Sequence, residues 1–216
     1  MARRVRTLRS ETKAATSDGA LDTRMMVLRT ALRLFEQRGL AVVTLADIAA
    51  AAGVSRQTIY LQFGNRAGLL TAIARHIDST SRLRGMMATI REDHTKAGLE
   101  KFIRLVFEHA AVIFSFARAV EAAAASGDAD ARVAMEDRVN AFLRATRLMI
   151  DGLAESGQLS KRWTREEATD WLYSRLHIDV WNQLVVDRKW PPKRVLERVT
   201  ESLWRDLLTD LHTPKA

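Results

Sequence analysis

The sequence predicts an all-α protein, and three observations carry that expectation. Apolar residues recur at three- and four-residue spacing along most of the chain, the period of a helix with one buried face. No hairpin dipeptide sits between alternating apolar and polar runs, so strand signals are nearly absent. Proline is confined to Pro191, Pro192 and Pro214, which leaves long stretches where no ring interrupts the helical hydrogen bonds. No internal repeat or long low-complexity segment stands out, apart from an Ala-rich patch at 117–125.

The elements follow in order. A first helix is expected from about Asp22 to Arg38, burying Met26, Leu28, Ala31, Leu32, Leu34 and Phe35 and ending at Gly39. Thr44, with Asp47 three residues later, has the spacing of a capping box for a short second helix. Gly53 ends that helix, Ser55 can cap a third, and Asn65 can cap a fourth running to about Arg84. Past residue 85 the helices lengthen, at about 97–124, 128–155, 165–188 and 192–211, with breaks at Ser126-Gly127 and Gly157. Thr164 and Glu167 repeat the capping-box spacing, and Pro191-Pro192 suit the first turn of the last helix.

Composition narrows the class. The chain has 216 residues, 47% apolar and 28% charged, enough to bury one core or two. Without cysteine it can build no disulfide, thiolate metal site or cysteine nucleophile. No apolar run approaches the roughly 18 residues of a membrane span, and the N-terminus lacks the apolar segment of a secretory signal. A soluble, cytoplasmic protein is the expectation, with no membrane partner.

The net charge of +8 is unevenly placed. Residues 1–21 carry five basic and two acidic side chains, residues 22–84 carry nine and four, and residues 85–216 balance. The whole excess therefore lies in the first 84 residues, as on a surface that faces a polyanion. The arm at 1–21, with Arg3, Arg4, Arg6, Arg9 and Lys13, is expected to be disordered in solution. It could follow a minor groove or nearby phosphates, or be a solvated tail.

Within that basic half, TLADIAAAAGVSRQTIYLQF at 44–63 reads as two short helices joined by a tight turn. Ala49 and Gly53 are small where the axes cross, and Leu45, Ile48, Val54, Ile59 and Phe63 anchor the hidden side. Taking those anchors as inside leaves Arg56, Gln57, Tyr60 and Leu61 facing outward, with Ser55 and Thr58 near the helix start. That is a helix-turn-helix presenting its second helix to a major groove of double-stranded DNA.

Residues 22–84 resemble the DNA-binding domain of the TetR family of bacterial transcriptional regulators. The resemblance rests on Leu45/Ile48/Ala49, Gly53-Val54, Thr58-Ile59-Tyr60, Phe63, and the basic Arg66 before Leu69-Leu70. It implies an all-helical homodimer whose C-terminal helical domain encloses an effector pocket and dimerises through its last two long helices. It also implies that Tyr60 donates to a phosphate and that Thr44 and Thr58 contact the DNA backbone, capping being their alternative role. Arg66, where the family commonly has Lys, is expected to touch phosphate at the start of the fourth helix. Arg56 and Gln57 suit base edges, Arg for guanine O6/N7 and Gln for adenine N6/N7, and either could equally touch phosphate. Gln62 departs from the His or other polar or aromatic residue often found there, and Leu61 offers only an apolar contact, such as a thymine methyl.

The C-terminal half reads differently. Phe107, Phe114, Met149, Tyr173, His177 and Trp181 are candidates for the wall of a pocket for a small, mostly apolar effector, with core packing as the alternative for each. Tyr173, His177 and Trp181 recur every four residues and would share one helix face. The helices at about 165–188 and 192–211 are apolar on more than one side, as subunit-interface helices are. No cofactor and no metal are expected: the five histidines have no metal-ligand spacing, and phosphate-loop, nucleophile-elbow and dinucleotide fingerprints are missing. The chain is therefore read as a non-enzymatic regulator in three parts: the arm at 1–21, a helix-turn-helix domain at 22–84, and a ligand-binding and dimerisation domain at 85–216. The expected activity is ligand-released repression at a palindromic operator, the alternative being a constitutive or architectural DNA-binding protein.

Overall fold

A computed structural model describes the backbone of residues 2–80 and 83–209, and the side chains of residues 19, 21–79 and 87–209. Among the described residues every regular element is helical, and the single β-bridge joins Leu159 to Leu208. The chain divides into two compact units, the first formed by 1–76 with 119–134 and the second by 77–118 with 135–216. The expected boundary near residue 84 thus falls close to the end of the first segment. The expected two-domain division did not foresee that 119–134 would return to the first unit.

The first unit begins with α1 (Ala2–Arg38), which absorbs the backbone of the segment expected as a disordered arm. No glycine or proline precedes Gly19 to stop it, although the side chains of its basic residues lie outside the described residues. Val27, Leu28, Ala31, Leu34 and Phe35 are buried, one stripe at helical spacing. Met26 lies off that stripe and is exposed, and Leu32 is half-buried, while Thr30 takes a buried place instead. Helices α2 (Leu45–Ala52) and α3 (Arg56–Phe63) follow, then α4 (Arg66–Thr80).

In the second unit α5 (Leu83–Glu92), a helix missing from the sequence expectation, which left the stretch between about 84 and 97 unassigned, precedes the long α6 (Lys96–Ala125) and α7 (Ala129–Glu155). Leu99, Phe102, Ile103, Met149, Ile150, Leu153, Leu172, Leu203 and Leu207 are fully buried in one core shared by α6, α7, α8 (Arg165–Leu176) and α10 (Pro192–Leu207). Burial of each such side chain stabilises by about 1.5–3 kcal/mol. The capping box of α8 forms as expected, with Glu167 N–H on the Thr164 hydroxyl and the Glu167 carboxylate accepting from Thr164 N–H.

The expected continuous helix at 165–188 is broken. His177 adopts extended backbone (φ −61°, ψ 146°), a four-residue α9 (Ile178–Trp181) restarts behind it, and residues 182–187 form a π-helical turn. The His177 ring accepts from Asp179 N–H and so caps the new start. The last helix ends at Leu207, not at about 211, because Leu208 turns extended and Ser160 and Thr209 N–H pair across the Leu159–Leu208 bridge. Arg162 donates to the carbonyls of Arg205 and Asp206, satisfying groups that a helix end leaves without partners. Leu211 lies outside the described residues.

Candidate nucleic-acid interface

The helix-turn-helix is built by caps at every joint. Thr44 N–H donates to Asp47 Oδ2 at 2.9 Å, Thr44 Oγ1 donates to the same oxygen at 2.7 Å, and Asp47 N–H donates back to Thr44 Oγ1 at 3.2 Å. The Thr44 backbone N–H, then its hydroxyl, hold the Asp47 carboxyl below its usual range, with Arg38 adding to the effect and slight burial opposing it. Gly53 closes α2 in the left-handed region (φ 65°, ψ 29°), its N–H shared between the Ala49 and Ala50 carbonyls. Ser55 then caps α3: its Oγ accepts from Thr58 N–H at 3.0 Å and pairs with the Thr58 hydroxyl at 2.9 Å.

Those joints decide which face α3 hides. Ile59 is 0% exposed and Phe63 8%, and α2 contributes Leu45, Ile48, Ala49 and Ala52 to the buried side. An eight-residue helix is marginal in water, so α3 depends on this anchoring. On the opposite side Ser55, Arg56 and Gln57 are exposed, Tyr60 is 47% exposed and Leu61 80%. Thr58 and Gln62 are half-buried, and Thr44 is exposed at the start of α2. The structure therefore brings Ser55, Arg56, Gln57, Tyr60 and Leu61 together on one helix.

Two further residues seat that helix. Arg24 of α1 donates from Nη1 to the Gln62 carbonyl at 2.8 Å, and its guanidinium lies 4.5 Å from the centre of the Phe63 ring. It thereby occupies a carbonyl at the C-terminal end of α3 with a cation, where the helix dipole favours one. Nothing local in the sequence pointed to Arg24, because its partners are 38 and 39 residues away. Gly68, in the first turn of α4, has no room for a side chain: a Cβ there would overlap the Phe63 carbonyl oxygen.

Arg66 stands apart from the sequence expectation. Instead of reaching outward, its Nη1 donates to Asp128 Oδ2 at 2.7 Å and its Nη2 to the Leu40 carbonyl at 2.7 Å. Its side chain is only 16% exposed. Asp128 also caps α7, accepting from Ala131 N–H at 3.0 Å. Burial pushes the Asp128 carboxyl up, but the Ala131 N–H and the Arg66 guanidinium outweigh it and hold the group below its usual range.

In the second unit Phe107, Met149 and Trp181 are buried in the core, and Phe114, Tyr173 and His177 are half-buried. The helix break at His177 replaces the expected single face by two contacts. Tyr173 packs against His177 (ring centres 5.6 Å) and against Phe142 (5.5 Å), while Trp181 packs against Phe107 (5.9 Å). Asp179 faces the His177 Nδ1 at 3.2 Å and accepts from Arg118 Nη1 at 3.1 Å. The sequence held a signal for this break in the His177-x-Asp179 pair.

Among the described residues every regular element is helical, with a capped helix-turn-helix in the first unit and a larger helical second unit. Residues 27–73 match the model of bacterial regulatory proteins of the tetR family. The chain is 43% identical over 65 residues to the HTH-type transcriptional regulator TtgR of Pseudomonas putida, a match covering 30% of this chain and 31% of that one. Likeness to solved structures spans far more of the molecule. NalD of Pseudomonas aeruginosa, the secondary repressor of the MexAB-OprM multidrug efflux pump, superposes with a TM-score of 0.63 at 21% identity, covering 88% of this chain and 99% of its own. FadR of Bacillus subtilis, solved with stearoyl-CoA, gives 0.63 at 18% identity over 83% and 96%. At these identities the structural likeness establishes the fold of both units. The relatives are regulators of transcription, not enzymes.

Proposed function

We propose that the protein is a sequence-specific DNA-binding transcriptional regulator, a repressor that acts as a homodimer on a palindromic operator. The observation that carries this reading is the outward face of α3, where Arg56, Gln57, Tyr60 and Leu61 stand exposed above the buried Ile59 and Phe63. Arg56 and Gln57 are placed to read base edges, Tyr60 to donate to phosphate and Leu61 to meet a thymine methyl. Thr44 and Ser55 stand exposed at the starts of α2 and α3, and Thr58 and Gln62 flank the reading face. All four belong to the same interface, contacting the DNA backbone or the edge of the site. Two such helices in a dimer would enter successive major grooves, about 34–36 Å apart for half-sites one turn apart. The π-helical turn and α10 are the proposed dimer elements, supported by the half-buried Trp190, Leu196 and Val199 at the edge of the core.

Control by a small, mostly apolar effector belongs to the same proposal, with Phe107, Phe114, Met149, Tyr173, His177 and Trp181 as the residues that respond to it. Two features support it: the helix break at His177 beside half-buried aromatics, and solved neighbours that hold choline or stearoyl-CoA. A π-helical turn often marks a functional place in a helix. The test is fluorescence anisotropy on a labelled duplex across a salt series, comparing the wild-type chain with Arg56→Ala. Tight binding that weakens with salt, and lower affinity for the variant at a similar slope, is the expected result. Equal affinity for both proteins would contradict the placement of Arg56 on a base edge.

A further inference from the structure

We infer that Arg66 is a positioning residue for DNA binding, latching the loop that leads into α2 to the turn between α6 and α7 through Asp128; this rests on the proposed function. Three segments distant in sequence meet at one guanidinium. Leu40 lies in the loop ahead of α2, Arg66 opens α4 directly behind α3, and Asp128 opens α7, all within the first unit. Both hydrogen bonds are 2.7 Å, and the two charged side chains are largely shielded, 16% and 23% exposed. A planar guanidinium can hold a carboxylate and a carbonyl at once through separate nitrogens, which a lysine ammonium does with less directional control.

Asp128 does two things with two oxygens. Oδ1 caps α7 and Oδ2 holds Arg66, so the start of α7 and the entry to the reading helices are fixed by one side chain. Helices α6 and α7 belong to the second unit over most of their length and to the first where they meet this turn. The Asp128–Arg66 pair therefore ties the α6–α7 turn to the start of α4. The latch sets how firmly α2 and α3 are held for DNA, and the α6–α7 turn becomes a control point for affinity.

The sign of one substitution separates this role from a phosphate contact. Asp128→Asn keeps the cap, because asparagine caps a helix as well as aspartate does, yet removes the charge that holds Arg66. Removing an acidic group from a DNA-binding unit ordinarily strengthens its grip on a polyanion, and a freed Arg66 would strengthen it further. The latch requires the opposite: Asp128→Asn weakens binding by at least about fivefold, within the usual range of coupling between sites. Arg66→Ala weakens it similarly, and the double variant is no worse than the weaker single one.

The experiment measures the affinity of wild type, Asp128→Asn, Arg66→Ala and the double variant for one duplex across a salt series, with thermal unfolding of all four in parallel. Weaker binding by both single variants, with unchanged salt slopes and non-additive effects, supports the latch. Tighter binding by Asp128→Asn, or a slope for Arg66→Ala reduced by about one, overturns it in favour of a phosphate contact. If the wild-type chain bound no duplex at all, the proposed function would fail on its own. The unfolding cycle would then still decide the latch, non-additive losses supporting it and additive ones overturning it.

Discussion

Replacing Gly53 by alanine isolates the turn that sets α3 against α2. The residue sits at φ 65° and ψ 29°, and a Cβ built there meets no atom within 4 Å. Steric overlap with neighbours is thus removed as a cause, leaving only the backbone cost of a left-handed L-residue, about 1–2 kcal/mol. For a chain of this length each kcal/mol lowers the melting temperature by roughly 2–4 °C. Asparagine tolerates the same region, so Gly53→Asn should lose clearly less than Gly53→Ala. Thermal unfolding followed by circular dichroism reads both variants, and DNA affinity at fixed salt reports whether the α2–α3 angle has moved. Equal losses for alanine and asparagine, or no loss for alanine, would refute the argument from backbone conformation.

The remaining predictions concern the reading face, the core and acid. Tyr60→Phe should weaken binding to all duplexes alike, whereas Gln57→Ala should change preference at particular base pairs, as comparison across a panel of single-substitution sites would reveal. Gly152→Ala places a methyl group into the ring of His94, which packs directly on that glycine, and should destabilise the second unit by about 1–3 kcal/mol in denaturant titration. The carboxyls of Asp47, Asp128 and Glu167 are held below their usual range in the folded state. Their contribution is therefore complete above the ordinary carboxyl range and lost as pH falls through the lower folded values. Melting temperature should hold between pH 7 and 5 and fall below about pH 4, less steeply for Asp47→Asn.

Much of this was legible in the sequence because it is local. The Thr44–Asp47 and Thr164–Glu167 boxes, the Gly53 turn and the Ser55 cap are each decided within four residues, and all four form where their spacing placed them. The hidden face of α3 was legible for the same reason, since Ile59 and Phe63 stand one turn apart. What the sequence hid is long-range. The engagement of Arg66 depends on Asp128, sixty-two residues away, and the seating of α3 depends on Arg24. A basic side chain before an apolar run looks the same whether it faces a phosphate or a buried carboxylate. The break at His177 escaped helical periodicity because the apolar spacing runs through it unchanged, while the imidazole cap that makes the break tolerable is a side-chain contact. Met26 shows the converse, an apolar residue at the edge of the stripe that the fold leaves exposed.

Selection of bound sites from a random double-stranded DNA pool at physiological salt, followed by sequencing, tests the central claim most directly. The account predicts enrichment of an inverted repeat whose half-sites change when Gln57 is replaced. Recovery of no preferred sequence, with binding that fades steeply as salt rises, would mean that the basic half only grips phosphate, and would contradict a regulator that reads its operator through α3.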